Sequence, residues 1–157
     1  GLYSAVDAGN AIATTAVTDS AKAVQGLINL KVKLDVANVP QQGRYVIVPA
    51  WYHALLLGSD LFVRVDASGT SEALRNGHVG RAFGFDVYMS NNCVNVTGDD
   101  YIVQAGYPGA LSFAEQIVKT EAYRPPSSFS DALKGLHVYG GKLVRPTGIA
   151  TLTASIT

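Results

Sequence analysis

One segment near the start of the chain has apolar residues at every third or fourth position. The recurring apolar positions are Ala23, Leu27, Leu30, Leu34 and Ala37. This spacing predicts an amphipathic α-helix with one buried stripe. Thr18 and Ser20 are both residue types that cap helix N-termini well. Asn38 and Pro40 should end the helix, because proline disfavours helical geometry in the residue before it.

Two runs after this helix have the composition of strands. RYVIVPA, at residues 44–50, is rich in β-branched residues and predicts a buried strand. Pro49 and Gly58 then suit the two ends of a short helix over residues 50–57. FGFDVYMSNN alternates apolar and polar residues, which predicts a half-buried strand. Its buried face should carry Phe85, Val87 and Met89.

The closing third of the chain predicts mainly strands. YIVQAGY precedes a Pro108-Gly109 turn, and the runs QIVKTEAYR, GLHVYGGKLVR and IATLTASI follow. Prolines at the ends of these runs mark strand termini or sheet edges. The order of elements indicates the α+β class with a largely antiparallel closing sheet. Residues 1–17 are small and polar, and we expect a loosely structured lead-in there.

Composition and charge narrow the classes of partner. The 157 residues are enough for one domain with a real core. Lys+Arg and Asp+Glu number 12 each, so the chain lacks the basic excess of proteins that bind nucleic acid or anionic membranes. Charged residues make up only 15% and hydrophobic residues 48%. Two interpretations of this low charge content stay open. Neighbouring molecules could cover part of the surface, or the chain could simply be a soluble domain rich in small residues.

Cysteine usage and chain ends bear on the compartment. Cys93 is the only cysteine, which excludes an intrachain disulfide and favours a reducing compartment. Asn95-Val96-Thr97 matches a glycosylation acceptor, but no other feature indicates secretion. We find no apolar run of membrane-spanning length and no signal peptide. The chain begins at Gly1 without a methionine, so we expect a fragment, a processed product or an expression scar.

The histidines have no spacing typical of catalysis or metal binding. His53, His78 and His137 are far apart, and none lies in an H-E-x-x-H motif. His53 lies beside Trp51 and Leu55, and His137 alternates with apolar neighbours, so a packed or hydrogen-bonded histidine is favoured at both positions. One cysteine with scattered histidines is a poor set of zinc ligands. We expect no metal and no cofactor.

The remaining candidates for chemistry are also weak. Cys93 lies in SNNCVNVTGDD, which has two acids and no base to activate a thiol. GHVGRAFG, at residues 77–84, matches neither a P-loop nor a dinucleotide fingerprint, and its glycines suit tight turns. The acidic candidates are Asp60, Asp66, Asp99 and Asp100. These are expected to be solvated loop carboxylates, so we expect no catalytic residue and no enzyme.

Three longer stretches, taken together and in order, resemble one known family. They are LKVKLDVANVPQQGRYVIVPAWYHALL, LRNGHVGRAFGFDVYMSNN and AEQIVKTEAYRPPSSFSDALKGLHVYGGKLVRPTGIA. From about residue 18 to the end, their order and spacing are similar to the major capsid proteins of tailed bacteriophages, particularly those infecting actinobacteria. The resemblance implies the Hong Kong 97-type capsid fold, which encapsulin shells share.

The resemblance also implies a domain organisation. After the lead-in of residues 1–17, residues 18–114 would form an axial-type domain and residues 115–157 would supply strands of a peripheral domain. The N-terminal arm, extended loop and spine helix of the family are not visible in the sequence. A fragment of a longer coat protein is therefore expected.

The function implied by the resemblance is structural. Copies of the full-length parent would form hexamers and pentamers and build an icosahedral virion shell around phage DNA in the bacterial cytoplasm. Scaffold or decoration proteins are further candidate partners, whereas sequence-specific nucleic acid and membranes are not expected. The predicted contact surfaces are residues 66–76, 91–100 and 121–146.

Three alternatives stay open from the sequence. One is an encapsulin-like compartment shell that encloses a cargo enzyme. Another is a small intracellular enzyme that uses His53 or Cys93. The third is a binding module in which an edge strand within residues 141–157 pairs with a partner.

Overall fold

The computed structural model describes residues 2–59, 81–124 and 131–157. Its helices are α1 (Ser20–Val36) and α2 (Ala50–Leu57), with short 3₁₀ helices at Leu2–Ala5, Ala8–Asn10, Pro108–Ala110 and Pro146–Gly148. Its strands are β1 (Ala11–Ala16), β2 (Arg44–Val48), β3 (Arg81–Ala82), β4 (Phe85–Met89), β5 (Asn95–Thr97), β6 (Asp100–Gly106), β7 (Leu111–Tyr123), β8 (Ala132–Leu143) and β9 (Ile149–Ser155).

These strands form two separate sheets. Seven of the described strands build a mixed main sheet in the order β1-β9-β6-β2-β4-β3, with β5 added beside β6. Among the described strands, β7 and β8 pair only with each other, as a long antiparallel hairpin. Within the main sheet β1 is parallel to β9 and β2 is parallel to β4, while β6 is antiparallel to both of its main neighbours.

Helix α1 confirms the predicted helix and its buried stripe. Ala23, Leu27, Leu30 and Leu34 are all fully buried. The N-cap is Asp19, which lies one residue from either predicted cap, and its carboxylate accepts a 2.8 Å hydrogen bond from the backbone N–H of Lys22. Aspartate satisfies the free amides of the first turn as well as serine or threonine does.

The turn between α1 and β2 is held by one buried arginine. Arg44 is only 2% exposed, and its guanidinium donates to the carbonyl oxygens of Pro40 at 2.8 Å and Val39 at 2.6 Å. A third bond, of 2.7 Å, joins Arg44 Nη1 to Asp35 Oδ1 at the end of α1. Because a planar guanidinium can donate in several directions, this single side chain fixes the path of the chain into the sheet.

The short helix α2 has the predicted bounds and packs closely on α1. Tyr52 is fully buried, and its hydroxyl reaches α1 beside Gly26. A Cβ at Gly26 would lie 2.5 Å from that hydroxyl oxygen and 2.9 Å from a methyl of Leu152 on β9. The absence of a side chain at Gly26 therefore lets α1, α2 and the main sheet approach one another.

The turn between β3 and β4 shows why a glycine is needed at residue 84. Phe83 and Gly84 both have positive φ, at 52° and 84°. Two such residues in succession make the type of tight turn that matches the twist of an antiparallel hairpin. The expected role of glycine before the Phe85 strand is thereby confirmed for Gly84. His78 and the other residues of this run before Arg81 lie outside the described residues.

The expectation of loose structure in residues 1–17 is wrong for its second half. Ala11–Ala16 forms β1, which lies parallel to β9 at the edge of the main sheet. The segment has only one large apolar side chain, Ile12, so its own pattern does not predict a strand. Its backbone pairing with a distant part of the chain decides the conformation.

The final strand also differs from the expectation. β9 lies between β1 and β6 in the main sheet, and six of its seven residues are buried. The predicted edge strand in residues 141–157 is therefore wrong for β9, because both of its edges are already paired. The expected boundary near residue 115 does not separate the two sheets, and the assignment to axial and peripheral domains stays a prediction. Neither α1 nor α2 is long and apolar enough to span a lipid bilayer.

Candidate subunit interface

The β7–β8 hairpin leaves most of its surface open. Of the described side chains in β8, only Leu143 is buried, and those described in β7 are exposed or partly exposed. Leu143 packs with Ala110 and Ile149, with Leu111 beside them, and this small cluster attaches the hairpin to the rest of the molecule. A two-stranded ribbon with water on both faces is marginally stable by itself.

One face of the hairpin is largely apolar. The backbone register pairs Phe113 with Gly141 and Ile117 with His137, and side chains at alternate positions share a face. The large apolar members of this face are Phe113, 64% exposed, Ile117, 71%, Leu133, 79%, and Tyr139, 70%. We call the side of the hairpin that carries these four residues the apolar face. Several exposed large apolar side chains on one face are typical of a surface that another molecule covers.

The opposite face of the hairpin is more polar. Glu121 forms an ion pair with Lys119 on its own strand and a second with Lys134 across the hairpin, where the nitrogen–oxygen distance is 3.7 Å. Leu136 and Val138 are the large apolar side chains here, each about half exposed. These ion pairs are solvated and lie within one chain. The polar face therefore does not need a partner to satisfy its charges.

The apolar face contains one pair of ionisable groups. His137 Nε2 lies 3.6 Å from Glu115 Oε2, diagonally across the hairpin. The ring of Tyr139 lies beside the imidazole, with the two ring centres 5.6 Å apart. The pair is therefore held among apolar side chains although it is open to water in the single chain.

A second predicted contact surface, residues 91–100, forms a small projection from the main sheet. β5 pairs with the start of β6, and the side-chain amide of Asn95 donates a 2.7 Å hydrogen bond to the carbonyl of Gly98. Val94 and Val96 are exposed there. The third predicted surface, residues 66–76, lies outside the described residues.

The sequence prediction of residues 121–146 located only part of the apolar face. Leu133 and Tyr139 fall inside that range, whereas Phe113 and Ile117 were missed. The missed signal is the alternation in LSFAEQI, where every second residue from Leu111 to Ile117 is apolar except Glu115. Such alternation is the usual sign of a strand with one apolar face.

The described candidates for chemistry do not converge. His53 lies partly buried on α2, whereas His137 lies on the hairpin. Asp100 begins β6 and Asp99 precedes it, while Asp60 and Asp66 lie outside the described residues. Within residues 2–59, 81–124 and 131–157, we find no group of three or more His, Cys, Asp or Glu side chains placed to hold a metal ion.

Cys93 is held in a turn after β4. Its thiol donates a 3.2 Å hydrogen bond to the carbonyl oxygen of Ser90. Partial burial raises the pKa of the Cys93 thiol, because the thiolate loses solvation. A raised pKa is the opposite of what an activated nucleophile needs at neutral pH.

Comparison with known proteins identifies the family. The sequence matches the model of a family described as phage capsid protein over residues 1–152. The chain belongs to the phage capsid protein family. No curated protein sequence matches it. The resemblance seen in the sequence is thus confirmed, and the family supports the predicted role of a structural coat protein.

Solved structures agree with this family and with its fold. A structure from Mycobacterium phage Che8 has a TM-score of 0.77 and 38% identity, and the match covers 94% of this chain and 54% of that chain. The capsid of cyanophage P-SCSP1u has a TM-score of 0.69 at 16% identity, covering 97% of this chain and 55% of that chain. The expected α+β fold of the Hong Kong 97 type is confirmed.

An encapsulin is a weaker structural match. The encapsulin SrpI from Synechococcus elongatus has a TM-score of 0.54 at 13% identity, covering 100% of this chain and 57% of that chain. In all three comparisons the chain spans only about half the length of the structure it matches.

Proposed function

We propose that this chain is a structural part of a phage coat protein that assembles with copies of itself into an icosahedral shell around the phage DNA. The apolar face of the hairpin is the observation that carries the proposal. Four large apolar side chains, each more than 60% exposed, lie on one side of a ribbon that has no other sheet against it within the described residues. In a shell, a neighbouring copy would cover such a face.

The size of the exposed surface is consistent with assembly. A compact monomer of 16.5 kDa is expected to expose roughly 7,500 Å², whereas this chain exposes 9803 Å². Because the chain spans about half the length of the structures it matches, this excess is surface that the rest of a coat protein and its neighbours would share, and a standard specific interface takes about 800 Å² from each partner. The hairpin contributes to this surplus because both of its faces meet solvent.

Charge supports the same proposal. The chain has a formal net charge of zero, so copies packed side by side would not repel one another over long range. The apolar face carries no lysine or arginine among its described residues, and Glu115 and His137 are the charged or chargeable groups that its covering would desolvate. The neutral balance gives no excess of positive charge for binding the phosphates of the enclosed DNA.

We assign the two sheets to two parts of a shell subunit. The main sheet with α1 and α2 would form the axial-type domain, and the β7–β8 hairpin would be the peripheral part that meets the next copy. The projection at residues 91–100 is a further contact candidate. Assembly in the host cytoplasm and recruitment of scaffold or decoration proteins belong to the same proposal.

The proposed role is mechanical and not enzymatic. Cys93 and His137 lie on different parts of the described structure, and the raised pKa of Cys93 argues against a thiolate nucleophile. An assay of the purified chain against a broad panel of hydrolase substrates would test this. Activity that is lost on replacing His53 or Cys93 would support the enzyme alternative.

An encapsulin-like shell is the second candidate, supported by the fold it shares with SrpI. The two candidates differ in what the shell encloses. Neighbouring genes for a terminase and a portal would favour a phage shell, whereas a neighbouring gene for a cargo enzyme would favour a compartment. Extraction of purified particles would separate them too, since only the phage shell should yield packaged DNA.

Electron microscopy tests the proposal directly. The coding sequence that contains this chain should be expressed with any adjacent scaffold and protease genes, and the product should be purified by size. Closed shells or capsomer rings are the expected result. Dispersed single subunits under all conditions, at concentrations where coat proteins assemble, would contradict the proposal.

A further inference from the structure

The two connections between the main sheet and the β7–β8 hairpin are joined to each other. Residues 107–110 lead from β6 into β7, and residues 144–148 lead from β8 back to β9. The backbone N–H of Val144 donates a 2.9 Å hydrogen bond to the carbonyl oxygen of Ala110. A Cβ at Gly148 would lie only 2.6 Å from the Cβ of Ala110, so the two connections are in direct contact. We call these two connections the hairpin root.

A short segment near the start of the chain lies against this root. Asn10 is only 7% exposed, and its side-chain amide donates to the carbonyl oxygens of Thr147 at 2.9 Å and Ile149 at 3.3 Å. Val6 packs against the small apolar cluster at the base of the hairpin. We call residues 6–10 the strap.

The strap is also attached to the last turns of α1. The ammonium group of Lys33 donates a 2.8 Å hydrogen bond to the carbonyl oxygen of Gly9. The carboxylate of Asp7 accepts a 2.9 Å hydrogen bond from the backbone N–H of Gly9, which holds the short turn of the strap. The strap therefore links α1 to the hairpin root.

A second tie between the root and α1 lies at the surface. Arg145 Nη2 donates a 2.9 Å hydrogen bond to the carbonyl oxygen of Ala37, but the arginine side chain is exposed. Water competes for both of these groups, so this bond contributes less than one made away from water. The amide of Asn10 is shielded from water, and its loss would leave buried carbonyl groups short of a donor.

We propose that the strap sets the direction of the hairpin relative to the main sheet, and that Asn10 is the positioning residue that fastens it. With the amide of Asn10 in place, the root is closed and the hairpin keeps one direction. When the strap is displaced, the root opens and the hairpin changes direction, while the main sheet keeps its own pairing. The joint lies within one chain, so its action does not depend on contact between copies.

Amide hydrogen exchange of the 157-residue chain, followed residue by residue by NMR, tests whether the root opens. Asn10→Ala should speed exchange roughly tenfold at Val144, because a buried donor to the root is lost. Val46 on β2, in the middle of the main sheet, should keep its exchange rate. Asn29→Ala is the matched control, because Asn29 is exposed on α1, and it should leave both rates unchanged.

The direction of the hairpin can be read from the distance between two spin labels. Gln25→Cys on α1 and Thr120→Cys on β7 place the labels at exposed positions, in a chain that also carries Cys93→Ser. With the strap intact, the distance distribution measured by pulsed electron paramagnetic resonance should be narrow. Asn10→Ala should broaden it.

A milder variant releases the strap from α1 without touching the buried amide. Lys33→Met should produce the same two effects more weakly, and it keeps the test decisive if Asn10→Ala does not fold. An unchanged distance distribution would overturn the proposal. Exchange that accelerates equally at Val144 and Val46 would also overturn it, since that pattern indicates an ordinary loss of stability throughout the chain.

Discussion

The hydroxyl of Tyr52 on α2 donates a 2.7 Å hydrogen bond to the carbonyl oxygen of Ala23 on α1. Both residues are fully buried, and the contact lies directly over Gly26. Burial raises the pKa of the Tyr52 hydroxyl far above its ordinary value, so it remains a donor at any pH the fold tolerates. This bond fixes how the two helices meet above the sheet from which the hairpin extends.

Removing that hydroxyl should destabilise the chain measurably. Tyr52→Phe keeps the ring and loses one buried hydrogen bond, so the free energy of unfolding should fall by about 1 kcal/mol. Urea unfolding followed by circular dichroism measures the change. Tyr88→Phe is the matched control, because Tyr88 is 53% exposed on β4 and should give no measurable loss. Equal effects of the two variants would contradict this account of the helix contact.

The turn before β4 should depend on backbone conformation alone. Gly84 has φ of 84°, yet no heavy atom lies within 4 Å of a Cβ built there. Gly84→Ala should therefore cost about 1 kcal/mol purely from the strained backbone. Gly140 on β8 also has open space around it, without a positive φ. Gly140→Ala should be neutral within error, and a loss as large as that of Gly84→Ala would exclude backbone strain as the cause.

Stability in acid should depend in part on Asp35. The hydrogen bond from Lys31, at 2.5 Å, is the main reason that the pKa of Asp35 is lowered, with Arg44 adding to it against the effect of burial. A lowered pKa in the folded state contributes stability that is present above about pH 4 and lost as the pH falls further. The contribution should stay below about 1 kcal/mol, because Asp35 is partly exposed.

Asp35→Asn tests this contribution through the shape of the pH curve. The free energy of unfolding of the variant should fall less steeply between about pH 4 and pH 2 than that of the unaltered chain. Asp131→Asn is the control, since its carboxylate is 89% exposed and lies 3.9 Å from Arg124. If the free energy of unfolding of Asp35→Asn falls with pH as steeply as that of the unaltered chain, the Lys31 and Arg44 contacts do not lower the pKa of Asp35.

The thiol of Cys93 should react slowly with alkylating reagents. Its raised pKa leaves less thiolate at pH 8 than an ordinary cysteine has, and thiolate is the reactive form. The rate with iodoacetamide should rise several-fold when the same chain is unfolded in guanidinium chloride. Native Cys93 that reacts faster than the unfolded chain would instead indicate an activated thiol and would revive the enzyme alternative.

The sequence predicted those elements whose pattern is local. The spacing from Ala23 to Leu34 determines the buried stripe of α1, and the bounds of α2 follow from Pro49 and Gly58. Prediction failed where pairing between distant segments decides the structure. β1 is a strand because it pairs with β9. Met89 was expected to be buried with Phe85 and Val87, but it is half exposed because it is the last residue of β4.

The candidate interface shows the same limit. An alternating pattern indicates a strand with one apolar face but does not reveal whether the remainder of the chain covers that face. The exposure of Phe113 and Ile117 follows from the separation of the hairpin from the main sheet, which no local pattern encodes. The family resemblance indicated a coat protein, and the hairpin pairing then located the face that the proposed contact would use.

The central claim is that the apolar face joins copies of this chain in a shell. Electron microscopy of particles from the expressed coat protein, with the double variant Phe113→Ser and Ile117→Ser, tests it most directly. Val36→Ser serves as the matched control, because Val36 is 76% exposed on α1 and lies away from the hairpin. The double variant should keep the thermal unfolding of its subunit and form no closed shells, whereas the control should assemble normally. Shells from the double variant in undiminished yield would contradict the account.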